Sequence, residues 1–272
     1  MVLDMCRLFG LYANKPVDVR FSFYETPVKS FVEQSVWNPE GWGIAWFNGE
    51  EWRIYKEPRA LYSSGEAERL IEKVVRGKII VSHVRLASAG RVRRENTHPW
   101  LYRGWVFAHN GTIHGRRRLL RLLHREYQDL EGDTDSEALF HLIIQETENM
   151  GDPIKGIRST IKKIIDKGIS FSSLNFIASD GRKLYALRYA TTSLDYYTLY
   201  YLERPREKLE LRKLSRETRQ LILMKLLHGE KAVIVASEKI SEEPYWKLIP
   251  NKHLLVIDRD LNTETIPTYP KG

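Results

Sequence analysis

Two periods alternate along the chain. Residues 7–12 alternate loosely between apolar and polar positions and predict a short strand, closed by Asn14-Lys15-Pro16. Trp42 to Phe47 and Glu51 to Tyr55 flank Asn48-Gly49, whose residues suit the two positive-φ positions of a type I′ turn, so a β-hairpin is predicted there. The period then becomes helical. Ser64 can cap a segment carrying Leu70, Ile71, Val74 and Val75, with Gly77 as its terminator. Lys78 to Val84 and Trp105 to Ala108 are apolar on consecutive positions, the pattern of strands buried on both faces. Arg116 to Tyr127 predicts a helix with Leu119, Leu120, Leu122 and Leu123 inward and five arginines in water. Asp133 or Thr134 can cap the next helix, which runs to Gly151, and a third spans Ile154 to Lys167 before Gly168. Strands return at Leu174 to Ala178, Lys183 to Arg188 and Tyr196 to Leu202, the first two joined by an Asp180-Gly181 turn. A helix from Glu217 to Leu227 and strands at Ala232 to Ala236 and Leu254 to Ile257 follow. Strands grouped in hairpins and helices grouped in a block predict an α+β fold of mainly antiparallel sheets with segregated helical layers.

Composition narrows the class. A length of 272 residues, 42% hydrophobic, with 17 Gly and 11 Pro, fits a globular chain. No linker, repeat or low-complexity stretch divides it, so one domain is expected. The single cysteine excludes an intrachain disulfide and suits a reducing compartment, which points to the cytoplasm. Neither a signal-like N-terminus nor a run of 18 apolar residues is present, so no membrane role is expected. The net charge of +8 allows an anionic partner, whether nucleic acid, phosphate or a carboxylate-rich small molecule. Gly-rich phosphate loops, Walker motifs and paired-cysteine zinc spacings are missing, so no cofactor is expected. His83, His98, His109 and His114 show no i, i+4 pair, and no metal is expected either.

Cys6 is the only thiol. A cysteine near a terminus is commonly a small buried apolar residue. Cleavage immediately before it, however, would place a free α-amine, with an ordinary pKa near 7.7–8.0, on the same residue as the thiol. That amine could take the thiol proton, giving a nucleophile that carries its own base. The chain from Cys6, Cys6-Arg7-Leu8-Phe9-Gly10, resembles the mature start of the class II, N-terminal-nucleophile glutamine amidotransferases. Further motifs of that family follow in order: Gly41-Trp42-Gly43, His83-Val84-Arg85-Leu86-Ala87-Ser88, Asn96-Thr97-His98-Pro99, His109-Asn110-Gly111 and Thr134-Asp135-Ser136-Glu137. Ala236-Ser237-Glu238 with Trp246 resembles the C-terminal part of stand-alone members.

The resemblance implies a four-layer αββα sandwich spanning 6–272 as one domain, with residues 1–5 a leader or a mis-assigned start removed before Cys6. It implies Cys6 as nucleophile, Asn110 and Gly111 as the oxyanion hole, Arg85 for the α-carboxylate of glutamine and Asp135 for its α-ammonium. Ser88 and His98 are carried over as further substrate-binding residues. Read alone, Asn110-Gly111 is also a turn signal, Arg85 a surface arginine, and Asp135 a helix-end carboxylate. Gly41-Trp42-Gly43 suits packing with a close backbone approach. Leu86 and Ala89 stand where some members carry Trp and His, which bears on loop closure over substrate. Arg91, Arg93 and Arg94 fall in that loop and suggest an anionic leaving group, the alternative being solvated charges.

The resulting expectation is an amidohydrolase that cleaves the γ-amide of glutamine, or of a γ-glutamyl peptide or conjugate, through a Cys6 thioester. Two alternatives stay open. One is a glutaminase subunit supplying ammonia to a separate synthetase, since the chain leaves no room for a synthase domain. The other is a catalytically dead basic binding protein, using Arg91, Arg93, Arg94 and the Arg116 to Arg125 face on phosphates; the leading expectation gives nucleic acid no role.

Overall fold

The computed structural model describes residues 6–205 and 211–269; the expected leader, 1–5, lies outside them. Among the described residues thirteen strands form two sheets. In chain order they are β1 (Arg7–Val17), β2 (Trp42–Phe47), β3 (Trp52–Glu57), β4 (Gly77–Val84), β5 (Trp100–Tyr102), β6 (Trp105–Asn110), β7 (Asn175–Ser179), β8 (Leu184–Arg188), β9 (Tyr200–Arg204), β10 (Ala232–Ala236), β11 (Lys247–Leu248), β12 (His253–Ile257) and β13 (Thr263–Pro267). The helices are α1 (Phe31–Val36), α2 (Ala67–Lys73), α3 (Arg116–Leu120), α4 (Asp135–Met150), α5 (Pro153–Asp166) and α6 (Arg216–Leu227). One sheet has the order β11-β9-β10-β1-β4-β2-β3 and the other β13-β12-β8-β7-β6-β5. Every pairing is antiparallel.

Period-two alternation sorts the side chains into layers. On β1, Leu8 and Tyr12 join Val81, Ala108 and Ile177 between the sheets, while Phe9, Leu11 and Ala13 face outward with Trp42, Ile44 and Ile71. On the far side, Phe107 and Phe176 of the six-stranded sheet meet Leu139 and Ile143 of α4 and Ile157 and Ile161 of α5. The expected αββα sandwich is thus present. Among the described residues no helix is long and apolar enough to cross a membrane.

Several local expectations are corrected. β1 runs through Asn14-Lys15-Pro16 to Val17, because a register shift between Tyr12 and Val17 frees Pro16 from donating to the ladder. The β2–β3 connection spans Asn48 to Glu51 with only Gly49 at positive φ. It is not a type I′ turn: the Asn48 Oδ1 accepts from the Glu50 and Glu51 amides at 2.8 and 2.9 Å, an Asx arrangement. Ser64 does not cap α2, since its hydroxyl donates to the Glu57 Oε2 at 2.7 Å. The predicted Arg116 to Tyr127 helix ends at Leu120. Buried Gln145 of α4 takes the backbone groups that a continuous helix would have paired internally, accepting from the His124 amide at 2.7 Å and donating to the Leu122 carbonyl at 3.1 Å. The strand expected at Tyr196 to Leu202 starts four residues later, as β9. Strands β5, β11 and β13 and the capped helix α1 had no expected counterpart.

A cluster of histidines closes one end of the inter-sheet layer. His83, on the β4 face shared with Val81, stacks on His98 with ring centroids 4.1 Å apart, and His98 meets Trp100 at 4.1 Å. Burial holds both rings well below the ordinary histidine range; for His98 the neighbouring His83, His109, Arg85 and Lys56 charges act the same way, as Arg85 does for His83.

Two outcomes follow from this packing. Gln145→Leu should lower the unfolding free energy by about 1–3 kcal/mol, because it removes two hydrogen bonds to partly buried backbone groups; denaturant titration checks this, and an unchanged midpoint would refute the role of Gln145. In the pH test, the folded state keeps His83 and His98 neutral while the unfolded chain takes up their protons near pH 6.5. Stability is therefore full above that pH and falls as pH drops below it, by about 1.4 kcal/mol per pH unit for each histidine. Urea unfolding at pH 7.5, 6 and 5 measures the slope.

Candidate active site

Cys6 immediately precedes β1, the strand hydrogen-bonded to β4 on one side and β10 on the other. The Ala236-Ser237-Glu238 motif grips that end. The Leu8 amide donates to the Ser237 hydroxyl at 2.9 Å, and the Ser237 amide donates to the Leu8 carbonyl at 3.0 Å. Glu238 pairs with Arg7, its Oε1 accepting from Nε at 2.6 Å, and with Lys29 at 3.0 Å. Burial opposes the Glu238 charge, but these two cations outweigh it and hold the carboxyl below its usual range.

The Cys6 thiol sits against the chain leaving β4. Its Sγ accepts from the Leu86 amide and faces the Leu86 carbonyl, both at 3.2 Å. Burial pushes the thiol pKa up, opposed by the Leu86 amide and by the Arg85 and Arg7 charges. Arg85 is not the surface arginine of the plain reading: it is 2% exposed. Its guanidinium donates to the Ala89 carbonyl at 2.7 Å and, at longer range, to those of Gly90 and Arg91. Asn96 anchors the same loop, donating to the Arg91 carbonyl at 2.9 Å and to Asp133 at 2.6 Å.

Each residue of Thr134-Asp135-Ser136-Glu137 has a separate task. Thr134 caps α4 through the Glu137 amide, at 3.2 Å. Asp135 stands in the first helical turn, as the plain reading held, but its Oδ2 accepts from the Ile113 amide at 2.5 Å and the residue also lines a cavity beside Cys6. The Ser136 hydroxyl is bonded to His109 Nδ1 at 2.8 Å, and Glu137 accepts the Glu131 and Gly132 amides at 2.7 and 2.8 Å.

Asn110 ends β6 and Gly111 follows it. The side-chain amide of the buried Asn110 makes no hydrogen bond among the described residues, which leaves its donors available. Gly111, at φ +156°, is required by contact: a Cβ there would lie 2.0 Å from the Ser173 carbonyl oxygen. Gly43 is required likewise, 2.3 Å from the His98 carbonyl, so Gly41-Trp42-Gly43 contains the close backbone approach expected of it.

Two cavities meet at Cys6. One, of about 20 Å³, is lined by Arg85, His98 and Asp135. The other, of about 220 Å³, is lined by Asn110, Thr112, Tyr196 and Tyr197. Ser88 and Gly111 border both. Of the seven residues carried over from the sequence, the other six thus surround the Cys6 thiol. Both nitrogens of the buried His98 lack a hydrogen-bond partner among the described residues. Arg91, Arg93 and Arg94 line neither cavity; Arg93 faces Asp133 at 3.5 Å and Glu95 at 3.9 Å. Sequence reasoning missed Thr112, Tyr196 and Tyr197. The adjacent tyrosines were the available signal, but they were absorbed into a predicted strand.

Comparison with known proteins bears on the family and the fold. The family model described as class-II glutamine amidotransferases matches residues 5–269. YafJ of Escherichia coli (strain K12), which carries the name of a glutamine amidotransferase, is 32% identical over 206 residues, covering 71% of this chain and 76% of that protein. A glutamine aminotransferase class-II domain protein from Silicibacter pomeroyi superposes with a TM-score of 0.65 at 22% identity, over 97% of this chain and 100% of that one. Glutamine phosphoribosylpyrophosphate amidotransferase from B. subtilis superposes with a TM-score of 0.66 at 17% identity, over 98% of this chain; this chain spans only 50% of that one. Nearly the whole described chain is accounted for by one family, and the protein belongs to the class II glutamine amidotransferases.

Proposed function

We propose that the chain hydrolyses the γ-amide of glutamine, or of a γ-glutamyl peptide or conjugate, through a thioester on Cys6. The observation that carries this reading is the convergence of Cys6, Arg85, Ser88, His98, Asn110, Gly111 and Asp135, distant in sequence, on two cavities sharing one sulfur. Removal of residues 1–5 exposes the α-amine of Cys6, which takes the thiol proton. The thiolate attacks the γ-carbonyl carbon, and the oxyanion is held by the Asn110 side-chain amide and the Gly111 N–H. The protonated amine returns its proton to the leaving nitrogen as the C–N bond breaks. Water then attacks the thioester, glutamate leaves, and the thiol is restored. Arg85 receives the α-carboxylate by exchanging loop carbonyls for carboxylate oxygens, a fork-shaped match; Asp135 receives the α-ammonium. A single thiol used as nucleophile suits a reducing compartment, and we place the reaction in the cytoplasm.

A second reading has one observation in its favour. The superposition on half of a longer amidotransferase chain is compatible with a glutaminase subunit that passes ammonia to a separate synthetase.

Three measurements bear on the reading. Protein beginning at Cys6 should hydrolyse glutamine, whereas protein retaining Met1 to Met5 should be about 10²–10⁴-fold slower, since an acylated nitrogen is no base. Comparable rates would remove the self-activation step. In the trimmed protein, Cys6→Ala should abolish turnover and Asn110→Ala should lower kcat by about 10²–10³-fold; glutamate release by trimmed Cys6→Ala at the parental rate would end the proposal. Finally, alkylation is carried by the thiolate. Because burial raises the thiol pKa above the ordinary cysteine range in the untrimmed chain, its iodoacetamide rate should still be climbing at pH 9. A plateau below pH 8 would contradict a burial-dominated thiol.

A further inference from the structure

The cavity on the Tyr196-Tyr197 side of Cys6 is far larger than ammonia requires. A water-sized molecule occupies about 10–15 Å³ on the same measure of volume, against about 220 Å³ here and about 20 Å³ on the Arg85 side. At about 20 Å³ the Arg85 side takes the glutamyl half only once its α-carboxylate has displaced the loop carbonyls from Arg85, as proposed above; the scissile bond then lies over Cys6. The nitrogen substituent then enters the larger cavity, past Asn110 and Gly111.

The walls of that cavity define what fits. Tyr197 donates to the Ser172 hydroxyl at 2.7 Å, and the same oxygen accepts the Thr112 amide at 3.0 Å. Thr112 in turn donates its hydroxyl to Ser88 at 2.9 Å. Tyr196 packs edge-on against Tyr197, with centroids 5.3 Å apart at 78°. The wall is therefore bonded from the 190–197 segment back to the oxyanion hole, and it offers aromatic surface with hydroxyl groups. Among the described residues lining it there is no Lys, Arg, Asp or Glu. Arg7, nearest in sequence to Cys6, is paired with Glu238, and Arg91, Arg93 and Arg94 are elsewhere. A carboxylate there would face no counter-charge among the described lining residues.

The geometry points to a leaving-group subsite formed by Ser88, Thr112, Tyr196 and Tyr197 that takes an uncharged organic amine, alkyl or aromatic, so that the substrate is a neutral γ-glutamyl amide. This rests on the hydrolysis proposed above and narrows it. It also reverses the anionic leaving group suggested by the loop arginines in the sequence. The site works in both directions: an uncharged amine bound there can attack the thioester carbonyl, its lone pair forming the C–N bond as the C–S bond breaks. The displaced proton passes to the Cys6 thiolate, and the product is a γ-glutamyl amide.

The test uses protein beginning at Cys6, with L-glutamine, γ-glutamyl-n-butylamide and γ-glutamylglycine as substrates. Tyr196→Ala should lower kcat/KM for the butylamide, relative to that for glutamine, by about tenfold, with most of the change in KM. Taking the ratio between parent and variant cancels the intrinsic reactivities of the amides. An unchanged ratio, or a parent preference for γ-glutamylglycine over the butylamide, overturns the subsite. A second measurement needs no variant: during glutamine turnover, added aniline, neutral at pH 8, should divert the thioester to γ-glutamylanilide with a saturable dependence on its concentration. Linear dependence, or equal diversion by glycine, also overturns it. Failure of the underlying hydrolysis looks different, since trimmed protein would then release glutamate from none of the three substrates above the Cys6→Ala background.

Discussion

The position of β1 governs the rest of the molecule. It is hydrogen-bonded on both edges, to β4 and β10, and packed on both faces, against the other sheet and against the outer apolar layer. A strand so enclosed has no freedom to slip, because a one-residue shift would send Leu8 and Tyr12 outward and Phe9 and Leu11 inward. The residue before it is consequently fixed at the rim of the sandwich. Cys6 inherits its position from the core, and Ser237 and Glu238 hold that end against fraying.

From this fixed sulfur the electrostatic arrangement can be read outward. Burial disfavours the thiolate, whereas the Leu86 amide and the Arg85 charge favour it. Arg85 itself is engaged with the carbonyls of the loop that follows it, so the same guanidinium serves loop shape and local charge. Asp135 has a comparable double attachment, tied to the Ile113 amide while lining the cavity. Tethered in this way, both side chains stand beside the sulfur before charge develops there, the condition under which fixed charges are most effective.

Legibility in the sequence followed the range of the interaction concerned. The β2–β3 hairpin, the Thr134 cap and the Gly151 and Gly168 terminators are local and could be read directly. The type of the hairpin turn could not, because the Asn48 side chain competes for the amides that a type I′ turn leaves to the backbone. The Arg116 to Tyr127 helix was misread for a non-local reason: Gln145, more than twenty residues away, satisfies the backbone where the helix breaks. At the site, motif residues were legible as a set through resemblance, while their geometry depended on sheet register. Tyr196 and Tyr197 offered only their adjacency as a signal, since their role follows from where β9 begins and from a hydroxyl contact to Ser172.

Both cavities draw on Cys6 and residues 85–136, and the larger adds one further stretch. Residues 85–136 supply the distinctive walls of the smaller one, whereas the segment bearing Tyr196 and Tyr197 borders only the larger. That division gives the scaffold a modular character under natural variation. Drift in residues 190–197 can reshape one side of the sulfur while the histidine stack, the Arg85 loop and the α4 cap stay as they are. Lineages sharing this sandwich could therefore keep one half of a substrate constant and exchange the other by altering a single surface segment.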